Sequence, residues 1–106
     1  MIDPQIIDKA ANILVSAAPR GSKVILFGSQ VTGTADSRSD IDFLVVEPEV
    51  QNRIHEMLRL TDALRPLRLA VDVLVMSSRA FERWRHTPNS TAYQVDREGR
   101  VYGPSA

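Results

Sequence analysis

A chain of 106 residues with 43% hydrophobic and 25% charged residues has the size and composition of one globular domain, residues 1–106. Its 13 basic and 13 acidic residues cancel, which argues against extended, non-specific binding of nucleic acid, since such binding needs uncompensated Lys and Arg. The absence of Cys excludes disulfides and thiolate metal sites, and without a signal peptide or a membrane-length apolar run the expected location is the cytoplasm, away from membranes.

Helical and strand-like segments alternate along the chain. Apolar residues at helical spacing, with capping residues or Pro at the ends, predict four helices, which are residues 4–17, 50–65, 78–84 and 91–98. Apolar and β-branched runs predict four strands, which are residues 23–27, 40–46, 69–76 and 100–102. One further helical turn is expected after Ser29. This alternation indicates an α/β or α+β domain with a small mixed sheet.

The apolar pattern also predicts what individual elements bury. One face of the second long helix is expected to be buried, and it comprises Val50, Ile54, Met57, Leu58 and Leu64. The strand over residues 69–76 is apolar almost throughout, which predicts an inner strand covered by helices on both faces. The strand before it is expected to stop at Glu47 and Pro48.

Acidic residues stand at or inside two of these strands. Asp40 and Asp42 are two residues apart, so an extended backbone points both carboxylates to one side while Ile41 and Phe43 enter the core. Paired carboxylates repel one another, and Mg²⁺ or Mn²⁺ are the cations that suit such hard oxygen ligands. If Asp72 lies on the neighbouring strand, three acids can hold two divalent ions roughly 3.5–4 Å apart. A carboxylate in the apolar run around Asp72 is expected to be buried and therefore to need a partner.

A Gly-Ser turn precedes the acidic pair. Gly28 allows the backbone to turn tightly and to approach a ligand, and Ser29 supplies a hydroxyl and an amide. If a helical turn follows, its first N–H groups face the same ligand. Amides on one side and metal ions on the other are what a nucleoside triphosphate requires.

Other interpretations of these residues fail on spacing. An EF-hand loop would place Arg38 at a ligand position and Ile41 at the position that requires Gly. A phosphatase-type Asp-x-Asp follows an apolar strand, whereas Asp40 to Asp42 opens one. A P-loop ends in Gly-Lys-Ser/Thr, which the sequence lacks.

The order Gly28-Ser29, then Ser39-Asp40-Ile41-Asp42, then Asp72 resembles the signature of the polymerase-β-like nucleotidyltransferase superfamily. The short chain resembles its minimal nucleotidyltransferase branch. This resemblance implies the α+β palm fold of that superfamily, with ATP as the substrate and two Mg²⁺ ions. It also implies the site residues, with nucleotide binding by Gly28, Ser29 and Ser39, and with metal binding and catalysis by Asp40, Asp42 and Asp72.

The same resemblance implies a partner. Minimal nucleotidyltransferases are commonly encoded beside a HEPN-domain ribonuclease toxin, and they act as antitoxins by adding AMP to a toxin tyrosine. Two alternatives stay open, a non-catalytic module that neutralises its partner by binding, and a small-molecule nucleotidyltransferase whose substrate domain comes from another subunit. Gln30 stands where the family often has a basic residue, which keeps the binding module open; Arg38 is a candidate to supply the missing charge.

Overall fold

The structure is a computed structural model that describes residues 3–34 and 40–103. Its strands are β1 (Lys23–Phe27), β2 (Ile41–Glu47), β3 (Val71–Ser77) and β4 (Arg100–Tyr102). Its helices are α1 (Pro4–Ala17), α2 (Ser29–Thr32), α3 (Arg53–Ala63), α4 (Ser78–Trp84) and α5 (Thr91–Glu98), with a 3-10 turn at Arg65–Leu67. Among these described residues, no helix is long and apolar enough to cross a bilayer.

The four strands form one mixed sheet in the order β3-β2-β1-β4. β1 is antiparallel to both β2 and β4, whereas β2 and β3 are parallel. A parallel pair needs a crossover, and α3 supplies it. The prediction of an α+β domain with a small mixed sheet is confirmed.

Capping residues set the helix starts that the sequence predicts. The Asp3 side chain accepts a hydrogen bond of 2.8 Å from the amide of Gln5, and Pro4 is the first helical residue. Ser77 and Ser90 cap α4 and α5 in the same way. Each such cap is worth about 1 kcal/mol.

The sheet is buried on both faces by helices. The face toward α1 and α3 carries Val24, Leu26, Ile41, Phe43, Val45, Val73 and Val75. The face toward α4 and α5 carries Ile25, Phe27, Leu44 and Val46, which pack with Val95 of α5. Each large apolar side chain that is fully buried contributes about 1.5–3 kcal/mol relative to the exposed state, so these two layers are the main source of stability.

The buried face of α3 differs from the prediction. Ile54 and Leu58 are 62% and 66% exposed, whereas Leu60 is fully buried and Leu64 is 3% exposed. Leu60 and Leu64 continue the row that begins at Met57, one helical turn apart at each step, and this row faces the sheet. The prediction for Ile54 and Leu58 was wrong because both lie on the neighbouring row.

Two predictions about the strands also need correction. β3 is an edge strand, not an inner one, because β2 is its only partner among the described residues. Glu47 does not stop β2 but is its last residue, and it is 2% exposed. Neither fact can be inferred from side-chain hydropathy alone, since both depend on which strand lies next to which.

Candidate active site

The parallel register of β2 and β3 brings two acidic residues together. Asp42 lies directly opposite Asp72, on strands that run about 4.8 Å apart. The same alternation places both carboxylates on the sheet face of Leu44 and Leu74, which is the face that α4 and α5 cover. Asp40 precedes β2 by one residue.

The electrostatic state of Asp42 reflects this crowding. Burial raises the pKa of the Asp42 carboxyl above its ordinary value of 3.8, and the charges of Asp72 and Asp40 raise it further. Asp42 is half-buried, while Asp40 and Asp72 are exposed. The expectation that Asp72 is buried was therefore wrong, and its carboxylate is open to a ligand from solvent.

The Gly-Ser turn lies against the same carboxylate. Gly28 follows β1 with φ of +81°, and a Cβ atom added there would lie 2.5 Å from Oδ2 of Asp42. α2 begins at Ser29, and the carbonyl of Gly28 accepts hydrogen bonds from the amides of Val31 and Thr32 at 3.0 and 3.2 Å. A glycine is thus required here both for the backbone angle and for the close approach to Asp42.

Three residues named from the sequence, Gln30, Arg38 and Ser39, follow the turn along the chain. Gln30 is 5% exposed, so its side chain is directed into the protein and not toward the open face of the site. Ser39, which was predicted to bind nucleotide, and Arg38, the candidate replacement cation, both lie outside the described residues.

Gly28, Asp42 and Asp72 border an open cavity of about 490 Å³. Leu58 and Thr61 of α3 and Gln94 of α5 also line it, and none of these three was identified from the sequence. Leu58 and Thr61 reach the cavity because β3 is the sheet edge, around which the cavity extends. No local motif marks these residues, since only the packing of α3 and α5 on the sheet brings them here.

The carboxylates suit a magnesium ion that arrives together with phosphates. In residues 3–34 and 40–103, no set of three Asp, Glu or His side chains has a geometry that would hold a metal ion by itself. Mg²⁺, however, usually binds one or two protein carboxylates and takes its other ligands from water and substrate phosphates. The facing pair Asp42 and Asp72, with the charge of Asp40 nearby, fits that mode of binding.

Comparison with known proteins adds independent findings. Residues 7–100 match the family model of the nucleotidyltransferase domain. The fold resembles a chain in the crystal structure of a toxin–antitoxin with AMP-PNP, at a TM-score of 0.62 and 23% identity over 96% of this chain and 74% of that chain. No curated protein matches the sequence significantly.

Two further solved structures share the fold. One is a putative nucleotidyltransferase from Sulfolobus solfataricus, with a TM-score of 0.58 and 25% identity over 74% of this chain and 70% of that chain. The other is a tri-AMPylated Shewanella oneidensis HEPN toxin in complex with MNT antitoxin, with a TM-score of 0.56 and 22% identity over 93% of this chain and 71% of that chain.

Proposed function

The chain belongs to the nucleotidyltransferase domain family, and from that premise we propose that it transfers AMP from ATP to a hydroxyl group of a partner protein, a HEPN-domain toxin. The main support is the in-register placement of Asp42 and Asp72 beside Gly28. The choice of AMP and of a protein acceptor draws support from the structural relatives, one of which holds AMP-PNP and another an AMPylated toxin.

In this proposal the triphosphate lies between the Gly-Ser turn and the acidic residues. Gly28 and Ser29 approach the phosphates with their backbone, and Ser29 adds its hydroxyl, with Ser39 as a further contact. Asp40, Asp42 and Asp72 would hold Mg²⁺. When bound there, Mg²⁺ would neutralise the carboxylates and stabilise the negative charge that develops on the phosphates during transfer.

The reaction is a substitution at the α-phosphorus. The acceptor oxygen forms a bond to this phosphorus, the bond to the oxygen bridging to the β-phosphate breaks, and pyrophosphate leaves with the electron pair. Asp72 is exposed beside Asp42, so an acceptor hydroxyl can donate a hydrogen bond to its carboxylate and pass its proton there. Asp42 lies close to Gly28, where only the absence of a Cβ leaves room for its carboxylate, and in this proposal it holds the phosphate side of the site.

Substitution of Asp42 tests this function. ATP labelled at the α-phosphate, Mg²⁺ and the product of the adjacent gene, which the proposal takes to be the HEPN-domain protein, would be incubated with the wild type or with Asp42→Asn. Transfer of label should fall by roughly 100-fold or more in Asp42→Asn, because a charged group that orients and stabilises the reacting phosphates is lost. Asp8→Asn is the matched control, since Asp8 contacts Tyr102 far from the site and the amide keeps an acceptor oxygen.

The outcomes of this assay distinguish the proposed enzyme from a wrongly assigned site and from a non-catalytic binding module. Label that depends on Asp42 supports nucleotidyl transfer to protein. Label transferred at the wild-type rate by folded Asp42→Asn would overturn the assigned site. A stable complex that never carries label would replace the enzyme with the non-catalytic binding module.

A further inference from the structure

The outer edge of β3 has a defined set of outward-facing backbone groups. The amide of Ile41 donates to the carbonyl of Ala70 at 3.0 Å, which fixes the alternation along the parallel pair. Ala70, Asp72 and every second residue after them direct their backbone groups to β2, so Val71 and Val73 direct theirs away from it. In the part of the chain that the structure describes, no strand pairs with this edge.

One end of this edge is already covered. The Arg53 side chain donates a hydrogen bond through Nε to the carbonyl of Val75 at 3.1 Å. This bond also confirms that the backbone carbonyl of Val75 points away from β2, although the side chain is buried. Proteins commonly protect sheet edges with charged side chains in this way. Here the protection stops at Val75, and the stretch of Val71 and Val73, on either side of Asp72, borders the open cavity of the site, although Val73 as a whole residue is only 4% exposed.

The open stretch lies in a continuous groove. A cavity of about 390 Å³ between α3 and the start of β3 shares Leu58, Thr61 and Val71 with the cavity of about 490 Å³ that contains Asp42 and Asp72. The groove therefore leads along the strand edge into the candidate active site. Leu58, at 66% exposure, forms an apolar wall with no cover among the described residues.

We propose that the acceptor-bearing segment of the partner binds here as an added strand along the free edge of β3, an inference that rests on the proposed function and identifies its acceptor site. Unpaired N–H and C=O groups at a strand edge are complementary to an extended peptide. Successive side chains of an added strand alternate between the two sheet faces. The acceptor hydroxyl would then point to the face of Asp72, while its apolar neighbours point to the opposite face and contact Leu58.

A positive charge at the far end of the groove favours an acidic residue in the bound segment. Arg65 is paired with Asp62 at 2.7 Å, but Arg68, which also lines the groove, has no ion pair among the described residues. An acidic residue of the bound segment can pair with Arg68. The expected acceptor is thus an extended segment with apolar residues on either side of the hydroxyl residue and an acid toward Arg68.

Amide hydrogen exchange tests the added strand without any catalysis. The isotope-labelled chain would be studied alone and with the HEPN-domain protein, in the absence of ATP. Hydrogen exchange at the amides of Val71 and Val73 should slow by roughly tenfold or more, because each amide gains a backbone hydrogen bond. The amide of Val101 is the matched control, since the register of β1 with β4 directs it outward from the opposite edge of the sheet.

Substitution of the groove wall gives a second measurement. Leu58→Glu should weaken binding of the HEPN-domain protein by about tenfold or more in calorimetry without ATP, because it removes an apolar contact and adds a buried charge. Val101→Glu, at a 56% exposed valine on β4, should bind like the wild type. The thermal midpoint of each variant establishes that it is folded.

These outcomes separate the docking site from the reaction. A complex without protection of Val71 and Val73, in which folded Leu58→Glu binds normally, would overturn the added strand even where label is transferred. Protection together with weakened binding by Leu58→Glu supports it. Protection without label transfer would keep the docking site and reject the proposed function.

Discussion

The contact between Gly28 and Asp42 determines where the central carboxylate of the site lies. Both Gly28 and Gly33 have φ near +80°, but only a Cβ at Gly28 would meet another group, Oδ2 of Asp42. At Gly33, where ψ of 11° completes a left-handed helical conformation, an alanine carries backbone strain of about 1–2 kcal/mol, whereas ψ of −154° at Gly28 lies in a region that essentially only glycine adopts. A Cβ at Gly28 would also force the Asp42 carboxylate to turn away, which would displace it from the position proposed for the phosphates.

Gly28→Ala and Gly33→Ala therefore form a matched pair. We expect both variants to lose stability by urea unfolding, Gly28→Ala more than Gly33→Ala, whereas transfer of labelled AMP under conditions where both are folded should fall by roughly tenfold to a hundredfold only in Gly28→Ala, as expected for a displaced reacting group. Equal transfer by the two variants would show that the contact with Asp42 has no part in the reaction.

At the residue scale, the approach of Gly28 to Asp42 was predictable because its determinants are local, while the role of these residues in catalysis stays a prediction. Asp40 and Asp42 share a face through the two-residue period of a strand, and Gly28 ends the strand that pairs with Asp42. The exposure of Asp72 was not predictable, since its apolar neighbours are typical of an inner strand. Asp72 is accessible because, among the described residues, no strand lies beyond β3 and the helices on its face do not cover this end of the strand.

Between the elements, a cluster of Glu47, Glu56 and Arg59, of which only Glu47 is fully buried, joins α1, β2 and α3 at the end of the sheet opposite Asp42. Arg59 donates to Glu56 at 2.7 and 2.9 Å and to the carbonyl of Ala17 at 2.9 Å. Burial, followed by the hydrogen bond and the charge of Glu56, raises the pKa of Glu47 to about 8. Mainly through its hydrogen bonds with Arg59, the pKa of Glu56 falls to about 2. Glu47 is thus protonated at neutral pH, and Glu56 is ionised.

This cluster predicts an unusual dependence of stability on pH. Between pH 4.5, the ordinary pKa of Glu47, and its folded pKa of about 8, the folded state holds a proton that the unfolded state has lost. The free energy of unfolding should therefore fall as pH rises through this window, with a slope of up to about 1.4 kcal/mol per pH unit. Glu56 acts in a lower window, where stability is lost as pH falls from 4.5 toward 2.

Glu47→Gln isolates this effect, because the amide is neutral at every pH and keeps a hydrogen-bond donor. Urea unfolding from pH 5 to 8.5 should show the decline in the wild type and in the exposed control Glu49→Gln, and a flatter curve in Glu47→Gln. Parallel curves for all three proteins would contradict the raised pKa of Glu47.

At the element scale, the sequence predicts the types of the elements but neither all of their bounds nor all of their contacts, since α3 begins at Arg53 and not at residue 50, and β3 begins at Val71 and not at residue 69. The bounds of β1 and the caps of α1, α4 and α5 are confirmed because they depend on neighbouring residues. The buried row of α3 was assigned wrongly because Leu58 and Leu60 are equally apolar, and only the sheet decides which row is covered. Glu47 was predicted to stop the strand and not to belong to it. Its burial could not be foreseen, because it depends on Glu56 and Arg59, which come later in the chain.

In the molecule as a whole, helices cover the two faces of the sheet to different extents. α1 and α3 bury one face, while the shorter α4 and α5 cover the other and leave the acidic residues at the first residues of β2 and β3 accessible. In the absence of a cation these carboxylates repel one another, and this repulsion adds to the larger effect of burial in raising the pKa of Asp42. Stability is thus lowered in the place where the proposed ligands bind.

Thermal unfolding tests this relation for the whole domain. Mg²⁺ with a non-hydrolysable ATP analogue, at a hundredfold excess over Kd, should add about 2.7 kcal/mol to the wild type and raise its midpoint. Asp42→Asn should show little shift with the ligands and, without them, an equal or higher midpoint than the wild type. A full ligand shift in Asp42→Asn would place the nucleotide elsewhere.

The parallel pairing of β2 with β3 has a consequence for folding fidelity. A slip of one residue would turn Asp72 to the opposite face and bring Val71 or Val73 beside Asp42, since successive strand residues alternate. Such a chain would keep a similar secondary-structure content, yet it would lack the acid pair and would turn the Asp72 carboxylate toward the face that α1 and α3 bury. Under the proposed function, only chains with the native register are catalytically active. The active fraction of a sample is therefore a stricter measure of native structure than its circular dichroism spectrum.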